Sequence, residues 1–461
     1  MAGDLITGEN GMRLENWYRT VWRWHFYAGL FTVPFILWLS ITGCVYLFKP
    51  QIEALIDRPY DGLAMDGPAA PSVLARAAQA AVPGSVLHRY ILPEHANDAR
   101  RVVVGVGAKE TRVYLHPQTG KVLKTVGEED RLMRIVFRLH GELMAGRWGS
   151  TLVELAASWA IIMLLTGLFL WWPRGAGLAG ALYPRLRRTG RKFWRDIHAV
   201  TGVWVSLLAI FLILSGLPWA KNWGDYLGAV REMTGTALAA PDWPQGTQAE
   251  ARARKKLDAG AREMIAEHSE HGGMVMAHAG PLSALDRLVP KAETLGLAAP
   301  VEISPPTDGS NIWLVKSNAA NRPLRATVRV DGDSGMIVSR ENFDQRHWID
   351  RLVGYGIAIH EGAFLGLLNQ LISLATILAL MSLAISSIIL WWRRRPDRRL
   401  GAPPPRGAMR HSWLLVVLTV ALGFLVPLFG VSLAIVTLLE LAFLQRSPRI
   451  SALLGLRRKS P

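Results

Sequence analysis

Four histidines recur in a fixed pattern. His140 opens the stretch HGELMAGRWGSTLVELAASWAIIMLLTGLFLWWPR, and His360 opens HEGAFLGLLNQLISLATILALMSLAISSIILWWRR. In each, the first Trp of a pair follows the histidine by 31 positions (Trp171, Trp391). His25 and His198 repeat as well, each preceding one glycine by 4 positions and a second by 18 (Gly29 and Gly43; Gly202 and Gly216). A neutral imidazole donates from one nitrogen and accepts, or ligates a metal, through the other. Two of them facing each other from separate helices suit a low-spin haem b, its iron held on both axial sides. Zinc or copper binding by the same pairs is less well supported, because no acid or cysteine at fixed spacing supplies the remaining ligands. A single interfacial histidine is ordinarily an amphipathic anchor. Four in two matched pairs at membrane helices, where ionisable groups are costly, make a functional reading the better one.

The neighbours of these histidines fit the same chemistry. Arg23, Arg195, Arg138 and Arg351 lie close to them in sequence and are candidate partners for haem propionates through charge-assisted pairs. Gly29, Gly202, Gly43 and Gly216 would let a flat ring approach the backbone. A second cluster, HSEHGGMVMAH, holds His268, His271, Met274, Met276 and His278. Methionine with histidine suits copper or another soft metal, and a surface loop is the simpler reading. The Trp pairs read as interface-belt residues rather than electron relays.

The elements that position these residues are membrane helices. Half of the 461 residues are apolar, and several runs exceed the roughly 20 residues that cross a bilayer. Spans are expected at 25–48, 150–172, 198–219, 363–392, 412–429 and 431–445. The net charge of +16 does not point to nucleic acid, because the arginines gather at the ends of membrane helices. The single cysteine, Cys44, lies inside an apolar run and excludes a disulfide framework or a cysteine-ligated metal or iron–sulfur site. No cleavable signal peptide is expected.

Residues 173–197 carry seven Arg/Lys and one acid, and residues 393–411 carry seven Arg and one acid. By the positive-inside rule both loops and the tail 446–461 face the cytosol, as does the N-terminus 1–24. The soluble-like regions 49–148 and 220–358 then lie on the outer side, the periplasm of a Gram-negative bacterium. The first reads as a helix over 71–81 and strands at 86–92, 101–105 and 111–115, with VYLHPQTGKVL as a hairpin; ATVRVDGDSGMIVS is a second hairpin.

The whole is an internal duplication of span, outer α+β domain and span, followed by a C-terminal membrane hairpin. Parallel repeats meet around a shared axis, so His25 pairs with His198 near the cytosolic surface and His140 with His360 near the outer one. His140 precedes its clear apolar run by about twelve residues, or roughly 18 Å of helix. The outer pair therefore stands at or above the surface, or Gly146 and Gly149 fold the helix back.

The signatures WRWHFYAGL…ITGCVYLF, HGELMAGRWG…LTGLFLWWPR, FWRDIHAVTGVW…LSGLPW and IAIHEGAFLG…WWRR, with the two hairpins, resemble the PepSY-associated transmembrane family over residues 15–396. Its members are iron-regulated bacterial inner-membrane proteins and include siderophore reductases. The resemblance implies a protein with two haem b groups that reduces ferric siderophores on the periplasmic side, with His25, His140, His198 and His360 as axial ligands by matched position. It identifies no substrate-binding residues. No GxGxxG segment or P-loop stands in a strand-to-helix context, so the electron donor is expected to be a membrane quinol or a partner reductase. The rival readings are a non-enzymatic membrane anchor whose PepSY-like domains bind an envelope partner, a metal or siderophore permease, and a reductase of another envelope substrate such as a copper or quinone compound.

Overall fold

A computed structural model describes residues 9–172, 178–237, 246–271, 281–308, 310–396, 399–402, 413–454 and 456. In chain order the elements are α1 (Glu9–Leu47), α2 (Lys49–Asp57), α3 (Pro71–Ala81), β1 (Val86–Ile91), β2 (Arg100–Val106), β3 (Lys109–Leu115), β4 (Val122–Gly127), α4 (Leu132–Glu142), α5 (Gly146–Trp171), α6 (Gly190–Gly216) and α7 (Lys221–Met233). There follow α8 (Gly246–His271), α9 (Ala284–Glu293), β5 (Val301–Ser304), β6 (Ile312–Ser317), β7 (Ala326–Asp331), β8 (Ile337–Asn342), α10 (Trp348–His360), α11 (Leu367–Trp392), α12 (Trp413–Leu425), α13 (Pro427–Leu439) and α14 (Pro448–Leu454). The chain divides into a helical unit (Met1–Cys44, His140–Leu227, Leu371–Pro461) and a mixed unit (Val45–Leu139, Gly228–Gln370).

Among the described residues, five helical stretches are long and apolar enough to cross a membrane: Trp17–Leu47, Gly146–Trp171, Gly190–Trp219, Leu367–Trp392 and Pro427–Leu444. Helix α1 runs unbroken for 39 residues, so residues 9–24 continue the first span's helix and are not a separate segment. The span expected over 412–429 is also different. Its helix stops at Leu425 and the next starts at Pro427. Proline cannot donate to a continuing helix, yet it fits a first turn, where its missing N–H has no partner to lose. Gly423 and Gly430 let the two arms close: a Cβ on Gly430 would lie 3.2 Å from the Cα of Gly423. Trp159 of α5 packs edge-to-face on Phe429 and donates to Ser432 Oγ at 3.1 Å, tying this hairpin to α5.

Two helix breaks matter for the histidines. The first turns on Leu143 and Met144, with φ of 48° and 57°, just ahead of Gly146 at 55°. Sequence had placed it at Gly146 and Gly149. Gly149 does a different job, because a Cβ there would overlap the carbonyl of Glu142. His140 therefore belongs to α4 and not to the head of α5. The second break corrects the single helix expected from His360 onward. His360 is the last residue of α10, and residues 361–366 intervene before α11, with Gly362 at φ 74° and Gly366 at φ 58°. Those backbone angles favour glycine.

In the mixed unit the strands of both outer regions form one eight-stranded sheet, ordered β4-β3-β2-β1-β5-β6-β7-β8. It consists of two four-stranded antiparallel meanders joined edge to edge, with Tyr90 opposite Ile303 and Ile91 opposite Glu302. The helix over 71–81 and both hairpins stand where sequence put them. Alternation sends Leu87, Val102, Val104, Val113 and Leu115, and then Ile303, Trp313, Val315, Val328 and Val330, into a shared core with Leu74 of α3 and Leu285 and Leu288 of α9. The other side of β1–β3 is polar and is gripped by α8. There Glu110 takes two bonds from Arg89 (3.0 and 2.8 Å), one from His88 Nδ1 (2.9 Å), and an ion pair with Arg254 (2.9 Å). Burial alone would raise the Glu110 carboxyl; Arg89, the His88 hydrogen bond and Arg254 outweigh it and hold the group at about 2.

Candidate functional site

The His25 and His198 rings lie together in the helical unit, their centroids 6.4 Å apart and their planes at 80°. Each is held from behind by a different helix. His25 of α1 directs Nδ1 at the Met163 carbonyl (2.9 Å) and at Thr166 Oγ1 (3.2 Å), both on α5. His198 of α6 directs Nδ1 at the Leu383 carbonyl (3.3 Å) and at Ser386 Oγ (3.2 Å), both on α11. A carbonyl oxygen only accepts, so each Nδ1 carries the proton and donates. Thr166 and Ser386 spend their own hydroxyl protons on carbonyls of their helices, Ile162 and Leu383, which leaves their oxygens as acceptors.

The same tautomer therefore holds in both rings, with an unprotonated Nε2 turned away from the supporting helix. Neither Nε2 has a hydrogen-bond partner among the described residues, and both rings remain half-buried while Thr166 and Ser386 are buried. Edge-to-face ring pairs fall in this distance range too. Here, however, both ring protons are committed elsewhere, and two lone pairs remain. Imidazoles that reach one metal ion from opposite sides at about 2 Å per bond have centroids roughly 6 Å apart.

His140 is supported in the same way. Its Nδ1 lies 2.9 Å from Thr42 Oγ1, and that hydroxyl also lies 2.9 Å from the Trp38 carbonyl. Its Cε1 lies 3.1 Å from where a Cβ on Gly43 would stand, and the His25 Cε1 has the same 3.1 Å relation to Gly167. A threonine followed by a glycine thus receives each ring: Thr42-Gly43 for His140 and Thr166-Gly167 for His25. Ser386-Ser387 takes that place for His198. Gly29 and Gly202 do not face rings. Added Cβ atoms there would meet the side chains of Met163 (3.8 Å) and Leu383 (3.6 Å), the residues whose carbonyls hold the histidines. The contact to Thr42 also answers the question of depth. With α4 separated from α5 by its turn, His140 reaches α1 within the stretch Trp17–Leu47. His360 ends α10 and is half-buried, in the mixed unit.

The four arginines differ. Arg23 lies over the Tyr27 ring at 5.6 Å. Arg195 is exposed and paired with Asp196 at 2.9 Å. Arg138 approaches Glu129 at 4.0 Å, and Arg351 is exposed on α10. Sequence missed Arg394, which stacks on Trp22 (4.6 Å) and Phe26 (5.6 Å), the residues flanking His25. Thr42, Thr166 and Ser386 were missed as well; the recurring triplets ITG and LTG were the available signal for the two threonines, and Ser386, in AISSII, had none. His268 and His271 fall at the end of α8, where side chains lie outside the described residues, as do Met274, Met276 and His278. Among the described residues no group of three or more His, Cys, Asp or Glu is arranged to hold a metal ion.

No curated protein matches the chain. The family model described as the PepSY-associated TM region matches residues 22–394, from just ahead of His25 to the arginines after Trp392. With most of its length and His25, His140, His198 and His360 inside that match, the chain belongs to the PepSY-associated transmembrane family.

Proposed function

We propose that this protein is an inner-membrane electron carrier with two haem b groups, which passes electrons to the periplasmic side to reduce ferric siderophores and so loosen their hold on iron. The observation that carries the reading is the His25–His198 pair, with its 6.4 Å spacing, both Nδ1 protons committed backwards and both Nε2 lone pairs left over. The donor set fits a bis-histidine haem, since it offers two neutral nitrogens and no carboxylate or thiolate beside them. His25 and His198 would hold the cytosolic-side haem, and His140 and His360 the periplasmic-side haem. Bound there, the haems supply one-electron relay. The chain's own residues orient the imidazoles and, at His25 and His198, fix the proton on Nδ1.

The wider topology belongs to the same proposal. With six spans and the basic loops 173–197 and 393–411 inside, the sheet would lie in the periplasm. The parallel support of His25 and His198 favours a duplication. Met163 and Thr166 stand 23 and 26 positions after His140, as Leu383 and Ser386 stand after His360. The two meanders of the sheet favour it too. Electrons would come from a membrane quinol or a partner reductase. The test is the visible spectrum of the protein purified in detergent: a Soret band is expected, and its absence from folded protein refutes the haem assignment. With haem present, dithionite-reduced protein should be reoxidised by a ferric siderophore. Protein that stays reduced is an electron carrier for some other acceptor.

A further inference from the structure

The angle between the His25 and His198 rings, 80°, is held from two sides. His25 is anchored to α5 through a bond shared between the Met163 carbonyl and Thr166 Oγ1, and Gly167 lies close under its Cε1. His198 is anchored to α11 through the Leu383 carbonyl and Ser386 Oγ. Each shared bond fixes the direction of Nδ1–H, and with it the rotation of the ring about the axis through Nε2. Thr166 and Ser386 are 9% and 0% exposed, so these acceptors are shielded from solvent. Free aromatic packing would let either ring turn. Two pairs of acceptors on two different helices do not.

We infer that Thr166 and Ser386, with the carbonyls of Met163 and Leu383, are positioning residues that hold the two axial imidazoles in crossed planes. This rests on the proposed haem ligation for its ligand, and adds an electronic consequence. Parallel axial imidazoles act along one direction and separate the two iron d orbitals that mix with them. Crossed imidazoles act on both orbitals equally and leave them close in energy. The oxidised centre then gives a strongly anisotropic low-spin resonance dominated by one low-field feature, in place of a rhombic three-line signal. The Nδ1 hydrogen bonds also raise the basicity of the ligands, which favours the ferric form and lowers the potential.

The experiment uses the full-length haem-loaded protein in detergent, carrying His140→Ala so that the His25–His198 centre is observed alone. The Soret band, the low-temperature electron paramagnetic resonance spectrum of the oxidised protein and the midpoint potential are recorded together. The single low-field feature is expected. Thr166→Val should retain the Soret band, shift the resonance towards the rhombic form and raise the potential. Thr166→Ser should restore both. If Thr166→Val does not fold, Ser386→Ala gives the same test from the other ring. A rhombic signal in the His140→Ala parent, or variants with unchanged resonance and potential, overturns the crossed-plane inference and leaves the haem assignment standing. Absence of a Soret band in the wild-type protein overturns both.

Discussion

His25 and His198 lie within long membrane helices, whereas His140 and His360 stand in the last turns of short ones. Helices α1 and α6 continue for many residues on either side of their histidine. Helix α4 ends two residues after His140, in a left-handed turn at Leu143 and Met144, and α10 ends on His360, followed by Gly362 and Gly366 in the same region of backbone space. A ring on a rigid packed helix has its place set by the whole span. A ring at a helix end beside such a turn can be moved by a few backbone angles. On the proposed function, the first arrangement would suit a centre that only exchanges electrons, and the second one that must adapt to a bulky substrate. Along α1, His25 and Gly43 are 18 residues apart, which at 1.5 Å per residue is about 27 Å of helix between the two levels.

The largest expected effect is loss of a ligand. His25→Ala and His140→Ala should each remove about half of the haem, and the double variant nearly all of it. Haem content per chain and the Soret band measure this. A His25→Ala protein that retains both haems would break the pairing on which the comparison rests.

Next come the glycines. Valine at Gly167 would push against the His25 ring, and valine at Gly43 against His140, since even a Cβ comes within 3.1 Å. Each should deplete haem at its own level and spare the other. Gly29→Ala should be nearly silent, because its nearest neighbour is the flexible Met163 side chain at 3.8 Å. Equal effects of Gly43→Val and Gly167→Val on both haems would mean that the two levels are not separate sites.

Much of this was legible in the sequence where one residue type has one job. The histidine repeat stood out because few imidazoles belong in membrane helices, and α3 and the hairpins followed from periodicity and turn residues. The hydroxyl supports were not legible. A Thr or Ser within a membrane helix ordinarily bonds the carbonyl a turn earlier, as Thr166 does with Ile162 at 2.7 Å, and nothing local shows that its oxygen also receives a ring proton. The turn at Leu143 and Met144 was hidden because large side chains rarely adopt left-handed angles. The β1–β5 junction was hidden because pairing between strands two hundred residues apart is decided by packing, not by either strand alone.

Acid should separate the levels by unit. Glu128, like Glu110, would be pushed up by burial, but Arg112, Arg131 and Arg89 hold it at about 2, against an ordinary value of 4.5. A carboxylate with a depressed folded-state value stabilises the fold above the ordinary value, and that contribution is lost as pH falls from about 4.5 towards 2. His360 belongs to the unit these carboxylates support, and His25 does not. Fluorescence of Trp313, buried in the sheet core, should report unfolding in that window. Glu110→Gln should flatten the dependence; an unchanged acid transition in that variant would remove these ion pairs as its cause.

Small effects on potential are expected from the hydroxyls beside the rings, Thr42 and Thr166. Thr42→Val removes one hydrogen-bond partner of His140 Nδ1 while keeping shape, so the ring should stay in place with weaker hydrogen bonding at Nδ1. The consequence is a modest rise in the potential of one haem with little loss of haem. After the corresponding Thr166→Val change His25 keeps the Met163 carbonyl as an acceptor, at 2.9 Å, so that shift should be modest as well. Potentiometric titration of both variants measures the two shifts. An unchanged potential in either variant would show that its hydroxyl does not tune the ligand it touches.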